Sequence, residues 1–416
     1  MALYSTTTNM TKRQLPKPKD FLPLIGFRAP RLDRNQARLD TATNLWDLRS
    51  IAKKRTPRAV FDYTDGAAGA EESMKRSREI YSRIEFNPRV LRDVSNVDTS
   101  VEILGKKSAF PIVLGPTGFT RMMHYQGEVA VAQAAGDFGL PYCLSTLGTT
   151  SIEEVAENAP KTRKMFQLYV WRDRGPGKEL IDRAKAMGYD TLILTVDCPV
   201  GGPRLRDVKN GLTIPPSLKF KTMMDMAKYP NWWFNLLTTE PLTFASFSST
   251  QGTVSELLSR VMDPSLSFAD VEWLRSQWQG PLVIKGVQTV ADSKVLADMG
   301  VDGILLSNHG GRQLDRAKVP FELLPDVVEK VGSEIEVFVD GGTMNGADVA
   351  AAVARGARAV FIGRAYLYGL MAGGKAGVER ALQMLTKEFT DTMKLLGASD
   401  VSELDESLVS VRPKFS

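Results

Sequence analysis

The stretch Ser307–Asp315, SNHGGRQLD, directly follows the apolar run Gly303–Leu306, which has the length and branching of a short buried strand. The chain has only two histidines in 416 residues, so any imidazole chemistry depends on His309 or His124. The neighbouring glycines let the backbone approach a ligand closely, and Arg312 can bind a carboxylate through two parallel hydrogen bonds. Taken alone, the stretch is equally consistent with a polar loop in which the ring nitrogens of the histidine are hydrogen-bonded within the protein and have no chemical role.

Apolar runs of this kind recur from residue 110 onward, and helical patterns follow most of them. We predict eight strands, over residues 110–115, 141–144, 164–170, 191–196, 281–284, 303–306, 336–339 and 359–362. The helical patterns between them include residues 127–138, 152–158, 177–187, 290–299 and 347–355. Eight alternating units predict an α/β protein built as a closed (β/α)8 TIM barrel. The absence of a G-x-G-x-x-G sequence argues against a dinucleotide-binding open sheet.

The barrel has additions at both ends and in the middle. We treat residues 1–416 as one domain, with an extension of helices and short strands over 1–105, the barrel over 106–397 and a tail over 398–416. About 80 residues separate the fourth strand from the fifth, where loops of roughly 15–30 residues are found elsewhere.

Most of that excess is an excursion over residues 207–265, rich in aromatic residues, methionine and lysine. This composition suits a membrane–water interface, but it equally suits a lid on the barrel or a subunit contact.

Composition sets limits on location and partners. Hydrophobic content of 43% and charged content of 24% are ordinary for a soluble globular protein. The two cysteines, Cys143 and Cys198, lie in apolar runs without metal or disulfide spacing, so we expect a reducing cytoplasmic setting and no metal site. The N-terminus lacks the apolar core of a signal peptide, and no run approaches the length of a membrane span.

Positive charge is concentrated near the start of the chain. Residues 1–60 contain 13 basic and 4 acidic side chains, against a net charge of +5 for the whole protein. Such an arm could meet an anionic lipid surface or an acidic partner, although it is more often a solvated face. We expect no nucleic-acid partner.

The predicted strand ends carry the candidate chemistry, because the active site of a TIM barrel lies at the C-terminal ends of its strands. All eight ends are polar or contain glycine, which points to a binding site. The residues at or just after these ends are Pro116, Thr117, Gly118, Ser145, Gln167, Tyr169, Thr195, Asp197, Lys285, His309, Asp340, Gly341, Gly342, Gly363 and Arg364. The ends of strands seven and eight commonly bind phosphate, so a phosphorylated cofactor is expected.

Two pairings follow from these positions. Lys285 would be a fixed cation in the barrel mouth that stabilises negative charge on a cofactor ring. Its alternative role is an ion pair with Asp302 or another acid at a strand end. Asp197 could hold His309 in one tautomer, and a neutral imidazole can remove a proton near neutral pH with little adjustment of its pKa.

Substrate binding would come from a second group of side chains. Arg312 and Arg204 could hold a substrate carboxylate from two sides, while Tyr63 and Tyr169 donate hydrogen bonds. The glycines of the segment 63–69, YTDGAAG, predict a loop that closes over a ligand.

These residues resemble the FMN-dependent L-2-hydroxy-acid dehydrogenases and oxidases. The resemblance runs from about residue 61 to residue 397, through FDYTDGAAG, GPTG, FQLYV, LTVD, IKGV, SNHGGRQLD, VDGG and FIGRA in order. The segments IGRAYLYGLMAGG and WWFNLLTTEPL are most similar to the bacterial quinone-linked L-lactate dehydrogenase branch.

The resemblance implies a homotetrameric flavoprotein that oxidises L-lactate to pyruvate and passes electrons to quinone. It implies a peripheral position on the inner face of the cell membrane, through the excursion. Two same-fold alternatives are an oxygen-using oxidase or monooxygenase, and a dehydrogenase for a bulkier hydroxy acid such as mandelate. A different class, a flavin-free barrel that only binds carboxylates or acts as a scaffold, would leave the histidine, lysine and arginines unexplained.

The resemblance also implies residue roles. His309 would be the base and Asp197 its partner, with Arg204, Arg312, Tyr63 and Tyr169 facing the substrate. FMN would be bound by Pro116, Thr117, Gly118, Ser145, Gln167, Thr195, Lys285, Asp340, Gly341, Gly342, Gly363 and Arg364.

Two positions depart from the pattern of the family. Many relatives have an arginine where this chain has Met344, which leaves Arg364 as the main cation expected at the phosphate. Gly118 replaces the alanine of many oxidases, which favours a dehydrogenase.

Overall fold

The computed structural model describes residues 15, 17–21, 32–212, 220–247 and 262–413. The strands of this part are β1 (Ile84–Phe86), β2 (Val101–Ile103), β3 (Lys106–Ser108), β4 (Ile112–Leu114), β5 (Tyr142–Ser145), β6 (Lys164–Leu168), β7 (Thr191–Thr195), β8 (Leu282–Val287), β9 (Gly303–Leu306), β10 (Glu336–Asp340), β11 (Ala359–Ile362) and β12 (Val409–Val411). Strands β4 to β11 are parallel and close into one barrel, in which β11 pairs with β4. The predicted (β/α)8 barrel and its eight strands are therefore confirmed.

The α-helices between and around these strands account for most of the remaining described chain. They are Pro18–Phe21, Arg34–Leu39, Leu45–Arg55, Arg58–Asp65, Glu72–Ser82, Thr120–Met123, Gly127–Asp137, Ile152–Asn158, Arg174–Ala186, Leu205–Asn210, Phe220–Met226, Pro230–Thr238, Phe268–Gln277, Val290–Asp298, Pro320–Val331, Gly346–Ala354 and Arg364–Leu396. Short 3-10 turns occur at Ala245–Phe247, His309–Gly311, Val401–Glu403 and Glu406–Leu408. The last long helix is kinked at Gly373 and Gly374.

Alternation along the strands divides the core into two parts. One set of side chains fills the barrel interior, and every barrel strand contributes to it: Val113, Cys143, Met165, Ile193, Val283, Leu305, Phe338, Ala359 and Phe361. The opposite strand faces pack against the surrounding helices. The hairpin of β2 and β3 closes the bottom of the barrel, where Ile103 joins the interior cluster and the Leu104 amide donates to the Glu336 carboxylate at 3.0 Å. The open end is therefore the opposite one, at the strand C-termini.

The N-terminal extension covers that open end. Asn44 caps the helix Leu45–Arg55 by accepting from the Asp47 amide at 3.0 Å, as its sequence predicts. After the helix Arg58–Asp65, the glycine-containing loop bonds to the turn around His309, because the Ala68 amide donates to the Gly311 carbonyl at 2.8 Å. The loop therefore lies against the turn after β9, and its closure over a ligand stays a prediction.

The excursion after β7 has two faces in its described part. On one face, the Trp232 indole donates to the Met122 carbonyl at 2.9 Å, and the Phe244 ring packs 4.5 Å from the Phe119 ring. On the other face, apolar side chains remain exposed on the helices Phe220–Met226 and Pro230–Thr238. These side chains are Phe220, Met223, Met224, Trp233, Phe234 and Leu237. Residues 213–219 and 248–261 of the predicted excursion lie outside the described residues.

Candidate active site

His309 lies in a strained turn immediately after β9. Its φ is 58°, a left-handed conformation that few residues other than glycine adopt. Hydrogen bonds fix this turn, because Ser307 Oγ accepts from the His309 amide at 3.0 Å and Asn308 Oδ1 accepts from the Gly311 amide at 2.9 Å. A side chain at Gly311 would meet the Met74 amide at 2.8 Å, which requires glycine there. The turn thereby directs the imidazole into the barrel mouth.

Asp197, after β7, defines the state of that imidazole. Its Oδ1 lies 2.9 Å from His309 Nδ1. Since a carboxylate can only accept, Nδ1 carries the proton and Nε2 is left as an acceptor. The Asp197 side chain is almost fully buried, so its carboxylate can orient the His309 imidazole but does not exchange protons directly with solvent. The predicted pairing of these two residues is present in the structure.

Lys285 lies at the centre of a buried charge cluster. Its Nζ is 3.8 Å from Asp197 Oδ2, 4.0 Å from Asp340 Oδ2 and 3.2 Å from Ser307 Oγ. Burial opposes the charge of Lys285, but the two carboxylates outweigh it and raise its pKa. Burial likewise raises the pKa of Asp340, whereas Lys285 and His309 overcome burial and lower the pKa of Asp197.

The alternative prediction of an ion pair between Lys285 and Asp302 is wrong. Asp302 accepts instead from the Leu282 amide at 2.8 Å and pairs with Arg275. It lies before β9, at the end of the barrel opposite the strand C-termini, so it cannot reach a side chain that follows the middle of β8. Another acid at a strand end, the other alternative, is the actual partner.

The same cluster lowers the pKa of the His309 imidazole. Burial is the largest cause that lowers the pKa of His309, and the positive charge of Lys285 lowers it further, against the opposing effect of Asp197. A depressed pKa leaves the imidazole neutral at neutral pH, which is the form that can accept a proton.

We expect a pH profile that reflects this depression. If His309 acts as the expected base, kcat/KM should stay level through pH 7 and fall only below about 6.5, the ordinary pKa of histidine. Protonation removes the ability of the imidazole to accept a proton, and a lowered pKa moves this protonation to a more acidic pH. An acid limb with its midpoint above pH 7 would contradict this arrangement.

Two guanidinium groups flank the Tyr63 ring on the substrate side. Arg312 lies 4.8 Å and Arg204 5.8 Å from the ring centroid. Asp207 lies 3.4 Å from Arg204, while burial and the nearby arginines lower the pKa of Arg312 to about 10. Two guanidinium groups close together, with one acidic side chain near them, leave a net positive charge that suits an anionic ligand. Each guanidinium can bind such a ligand through two parallel hydrogen bonds.

Tyr169 borders the same space. Burial raises its pKa, so its hydroxyl remains protonated and can donate a hydrogen bond. The hydroxyl lies 3.9 Å from Cys198 Sγ, on the same side as the base.

A chain of amide and hydroxyl groups lines the middle of the mouth. Ser145 Oγ donates to Gln167 Oε1 at 2.9 Å, and Gln167 Nε2 donates to Thr195 Oγ1 at 3.0 Å. The strand register favours this proximity, because Ser145 pairs with Gln167 and Gln167 pairs with Ile193, two residues before Thr195 on the same strand face. Such groups can hold a planar heterocycle by its polar edge.

One cavity of about 730 Å³ joins these groups. Except for Asp197, which lies behind His309, every residue predicted for the site lines it. They are Tyr63, Pro116, Thr117, Gly118, Ser145, Gln167, Tyr169, Thr195, Arg204, Lys285, His309, Arg312, Asp340, Gly341, Gly342, Gly363 and Arg364.

Arg364 differs from its expected surroundings. Its Nε donates to the Thr64 carbonyl at 2.9 Å, and its two terminal nitrogens donate to the carbonyls of Gly310 at 2.9 Å and Gly66 at 2.7 Å. Arg364 therefore uses much of its hydrogen-bonding capacity to link the N-terminal extension to the turn around His309.

Cys198 and Gln313 were not predicted as site residues from the sequence, yet both contact the pair of Asp197 and His309 or its backbone. Cys198 Sγ lies 3.3 Å from Asp197 Oδ1 and 3.5 Å from His309 Nδ1. This group of thiol, carboxylate and imidazole has ligand types that bind metals, but Lys285 Nζ, 3.5 Å from His309 Nδ1, opposes a further cation. The position of Cys198 directly after LTVD was the available signal.

Gln313 connects the two loops that contain the pair. Its Nε2 donates to the carbonyls of Asp197 at 3.1 Å and Val200 at 2.8 Å, and its Oε1 accepts from the Gly202 amide at 3.0 Å. Its place within SNHGGRQLD was a signal, but its partners come from a distant loop.

A barrel mouth that holds an oriented imidazole, a buried lysine and a pair of arginines has the groups of an active site that acts on an anionic ligand. The family model of FMN-dependent dehydrogenases matches residues 52–411. The chain belongs to this family.

Individual proteins that are similar to this chain are consistent with this family. A Mycobacterium tuberculosis protein, whose name provisionally calls it an L-lactate dehydrogenase, is 53% identical over 392 residues, which cover 94% of this chain and 95% of that protein. The L-lactate dehydrogenase of Caulobacter vibrioides is 41% identical over 373 residues, covering 88% and 97%. A crystal structure of the monotopic membrane protein (S)-mandelate dehydrogenase is 36% identical, covers 89% of this chain and 100% of that one, and superposes with a TM-score of 0.86.

The protein is thus an FMN-dependent oxidoreductase of the 2-hydroxy-acid dehydrogenase and oxidase type. The residues at the mouth fit this cofactor. Among the described residues, the buried Asp340 Oδ1 has no hydrogen-bond partner, which suits a hydroxyl of the ribityl chain. At Gly341, where φ is 94°, the atoms nearest to a Cβ would be Asn308 Oδ1 and Ser77 Oγ at 3.9 Å, so the turn after β10 is not tightly packed beside the cavity.

Proposed function

We propose that this enzyme oxidises L-lactate to pyruvate and passes the electrons from FMN to a quinone. The observation that supports it best is the position of His309, whose free Nε2 shares one cavity with the arginine pair Arg204 and Arg312. A substrate anchored by its carboxylate would present its hydroxyl-bearing carbon to this base. The names of the most similar relatives support lactate as that substrate.

The roles of the side chains follow from their positions. Arg204 and Arg312 bind the carboxylate, and the hydroxyl of Tyr169 donates to the substrate together with that of Tyr63. His309 Nε2 accepts a proton from the substrate. Asp197 stabilises the imidazolium that results, because a negative charge lies 2.9 Å from Nδ1.

The reaction removes two electrons and two protons from the hydroxy acid, and His309 Nε2 takes one of these protons. When bound, FMN would supply the acceptor for the two electrons and the remaining proton. Lys285, held between two carboxylates, is the fixed positive charge that would stabilise negative charge on the cofactor. The chain Ser145–Gln167–Thr195 and the backbone around Pro116, Thr117 and Gly118 would orient the cofactor ring. Gly342, Gly363 and Arg364 lie at the end of the cavity where its phosphate would bind.

Steady-state turnover with a matched set of substrates and acceptors tests this proposal. We expect turnover of L-lactate but not D-lactate, with a short-chain quinone analogue as acceptor and slow reaction with oxygen. Equal rates with oxygen would make the protein an oxidase. Absence of turnover with L-lactate and any acceptor would contradict the substrate.

A bulkier hydroxy acid is the second candidate. The mandelate dehydrogenase structure is 36% identical and covers 89% of this chain. Turnover of (S)-mandelate with a higher kcat/KM than L-lactate would establish this alternative and preserve the assignment of the base.

Membrane contact is part of the proposal. Within the described residues, no helix is both long and apolar enough to cross a bilayer. We propose instead that a docking face, defined as Phe220, Met223, Met224, Trp233, Phe234 and Leu237, lies on the inner face of the cell membrane. Exposed apolar side chains on adjacent helices, with Lys228 between them, suit an anionic lipid surface. A quinone dissolved in the bilayer would then be close to the enzyme.

Leu237→Ser should weaken binding to vesicles of phosphatidylglycerol by about tenfold, since burial of one leucine is worth about 1.5–3 kcal/mol. Leu395→Ser is a matched control, because Leu237 is 75% exposed and Leu395 is 76% exposed, outside the docking face. Sedimentation with vesicles measures both. Equal binding of the two variants would exclude this face.

The homotetramer implied by the resemblance is also a proposal. Light scattering of the purified holoenzyme tests it, and a mass near that of one 45.8 kDa chain would contradict it.

A further inference from the structure

The helix Glu72–Ser82 of the N-terminal extension passes over the end of the cavity that the loops after β10 and β11 form. Arg78, on this helix, lines the cavity. One terminal nitrogen of Arg78 donates to the Gly342 carbonyl at 2.7 Å, and the guanidinium also pairs with Asp348. The extension thus places a guanidinium directly on the glycine turn that follows strand seven of the barrel.

Two other arginines that line the cavity, Arg364 and Arg49, have partners elsewhere. Arg364 donates to the carbonyls of Thr64, Gly310 and Gly66. Arg49 forms an ion pair with Asp65. Met344, two residues beyond Gly342, carries no charge.

Arg78 still has donors to offer. An arginine has five N–H groups, and the contacts of Arg78 with Gly342 and Asp348 use three of them. Asp348 is buried, and its two oxygens lie against the two terminal nitrogens of the guanidinium. The Arg78 side chain is 28% exposed, on the side of the cavity. Asp348 therefore orients the guanidinium and leaves part of its donor fork accessible.

We propose that Arg78 binds the phosphate of FMN at the glycine turn that follows β10. A planar guanidinium matches two phosphate oxygens at once, and the ends of barrel strands seven and eight are a common position for such a phosphate. Asp348 is then a positioning residue. The inference rests on the position proposed above for the phosphate, and it is independent of which hydroxy acid is oxidised.

Comparison of two flavins tests this role, because riboflavin lacks the phosphate. The full-length chain is stripped of flavin and titrated with FMN or riboflavin, and the quenching of flavin fluorescence gives each Kd. Arg78→Met should raise the Kd of FMN by about tenfold to a hundredfold, the range for loss of a charge-assisted hydrogen bond, and change that of riboflavin less than about twofold.

Arg76→Met is the matched control, since Arg76 lies on the same helix and pairs at 3.5 Å with the partly exposed Glu322. It should leave both flavins unaffected. Arg78→Lys keeps a positive charge beside Asp348 and should weaken FMN several-fold with riboflavin unchanged, so it provides the test if Arg78→Met does not fold. An equal loss for both flavins, or no loss for FMN, would overturn the proposal. Failure to oxidise lactate with normal flavin discrimination would instead overturn only the proposed substrate.

Discussion

His309→Gln is expected to lower the turnover of L-lactate by about 10²–10⁴-fold, the usual effect of losing a general base, while FMN remains bound. Glutamine approximates the size of the imidazole and can still donate to Asp197, so the turn after β9 should persist. The glutamine side chain cannot accept a full proton at the position of Nε2. Both kcat and kcat/KM should fall, because the base accepts the proton in the transition state and not in the bound ground state.

His124→Gln is the control for this substitution. Burial lowers the pKa of His124 to about 4, and its ring stacks on Tyr125 at 4.8 Å, outside the residues that line the cavity. Its turnover should remain close to that of the unmodified enzyme. Near-normal turnover of His309→Gln would remove His309 from the mechanism.

Lys285→Met has the largest expected effect on stability, about 3–5 kcal/mol, because it leaves buried carboxylates without their cation. Asp197 and Asp340 both lie within 4.0 Å of Lys285 Nζ. The urea midpoint of the flavin-loaded protein, followed by far-UV circular dichroism, measures this loss. The variant should also shift the acid limb of kcat/KM to higher pH, because the charge of Lys285 is one of the causes that lower the pKa of His309.

Lys294→Met is the comparison for this prediction. Lys294 forms its ion pairs with Asp298 and Glu334 at the surface, where such pairs contribute little. Its urea midpoint should stay unchanged. Equal midpoints for the two variants would show that the buried cluster around Lys285 does not depend on its cation.

The barrel and much of its mouth could be predicted from the sequence because both depend on local patterns. Eight apolar runs separated by helical segments specify the strands, and the residue that follows each strand necessarily faces the same end of a parallel barrel. This rule alone brings Lys285, His309 and Asp340 together. Asn44 was predictable for the same local reason, as a cap within one turn of its helix.

Partners distant in sequence were not predictable in this way. Whether Lys285 meets Asp302 or Asp340 depends on which end of a strand each acid occupies, and a shift of a few residues reverses the answer. Arg78 lies on a helix outside the repeat, where no periodic pattern indicates which loop it contacts. In the excursion, Phe244 packs inward while Phe234 is exposed, although composition treats them alike.

The central claim is that L-lactate, held at this mouth, transfers two electrons to the bound FMN with His309 as the base. Anaerobic rapid mixing of the holoenzyme with L-lactate, observed by flavin absorbance near 450 nm, tests it most directly. We expect bleaching within the time of one turnover, rapid recovery on addition of a quinone analogue, and bleaching about 10²–10⁴-fold slower in His309→Gln. Absence of bleaching by L-lactate, or equal rates in the two proteins, would contradict the account.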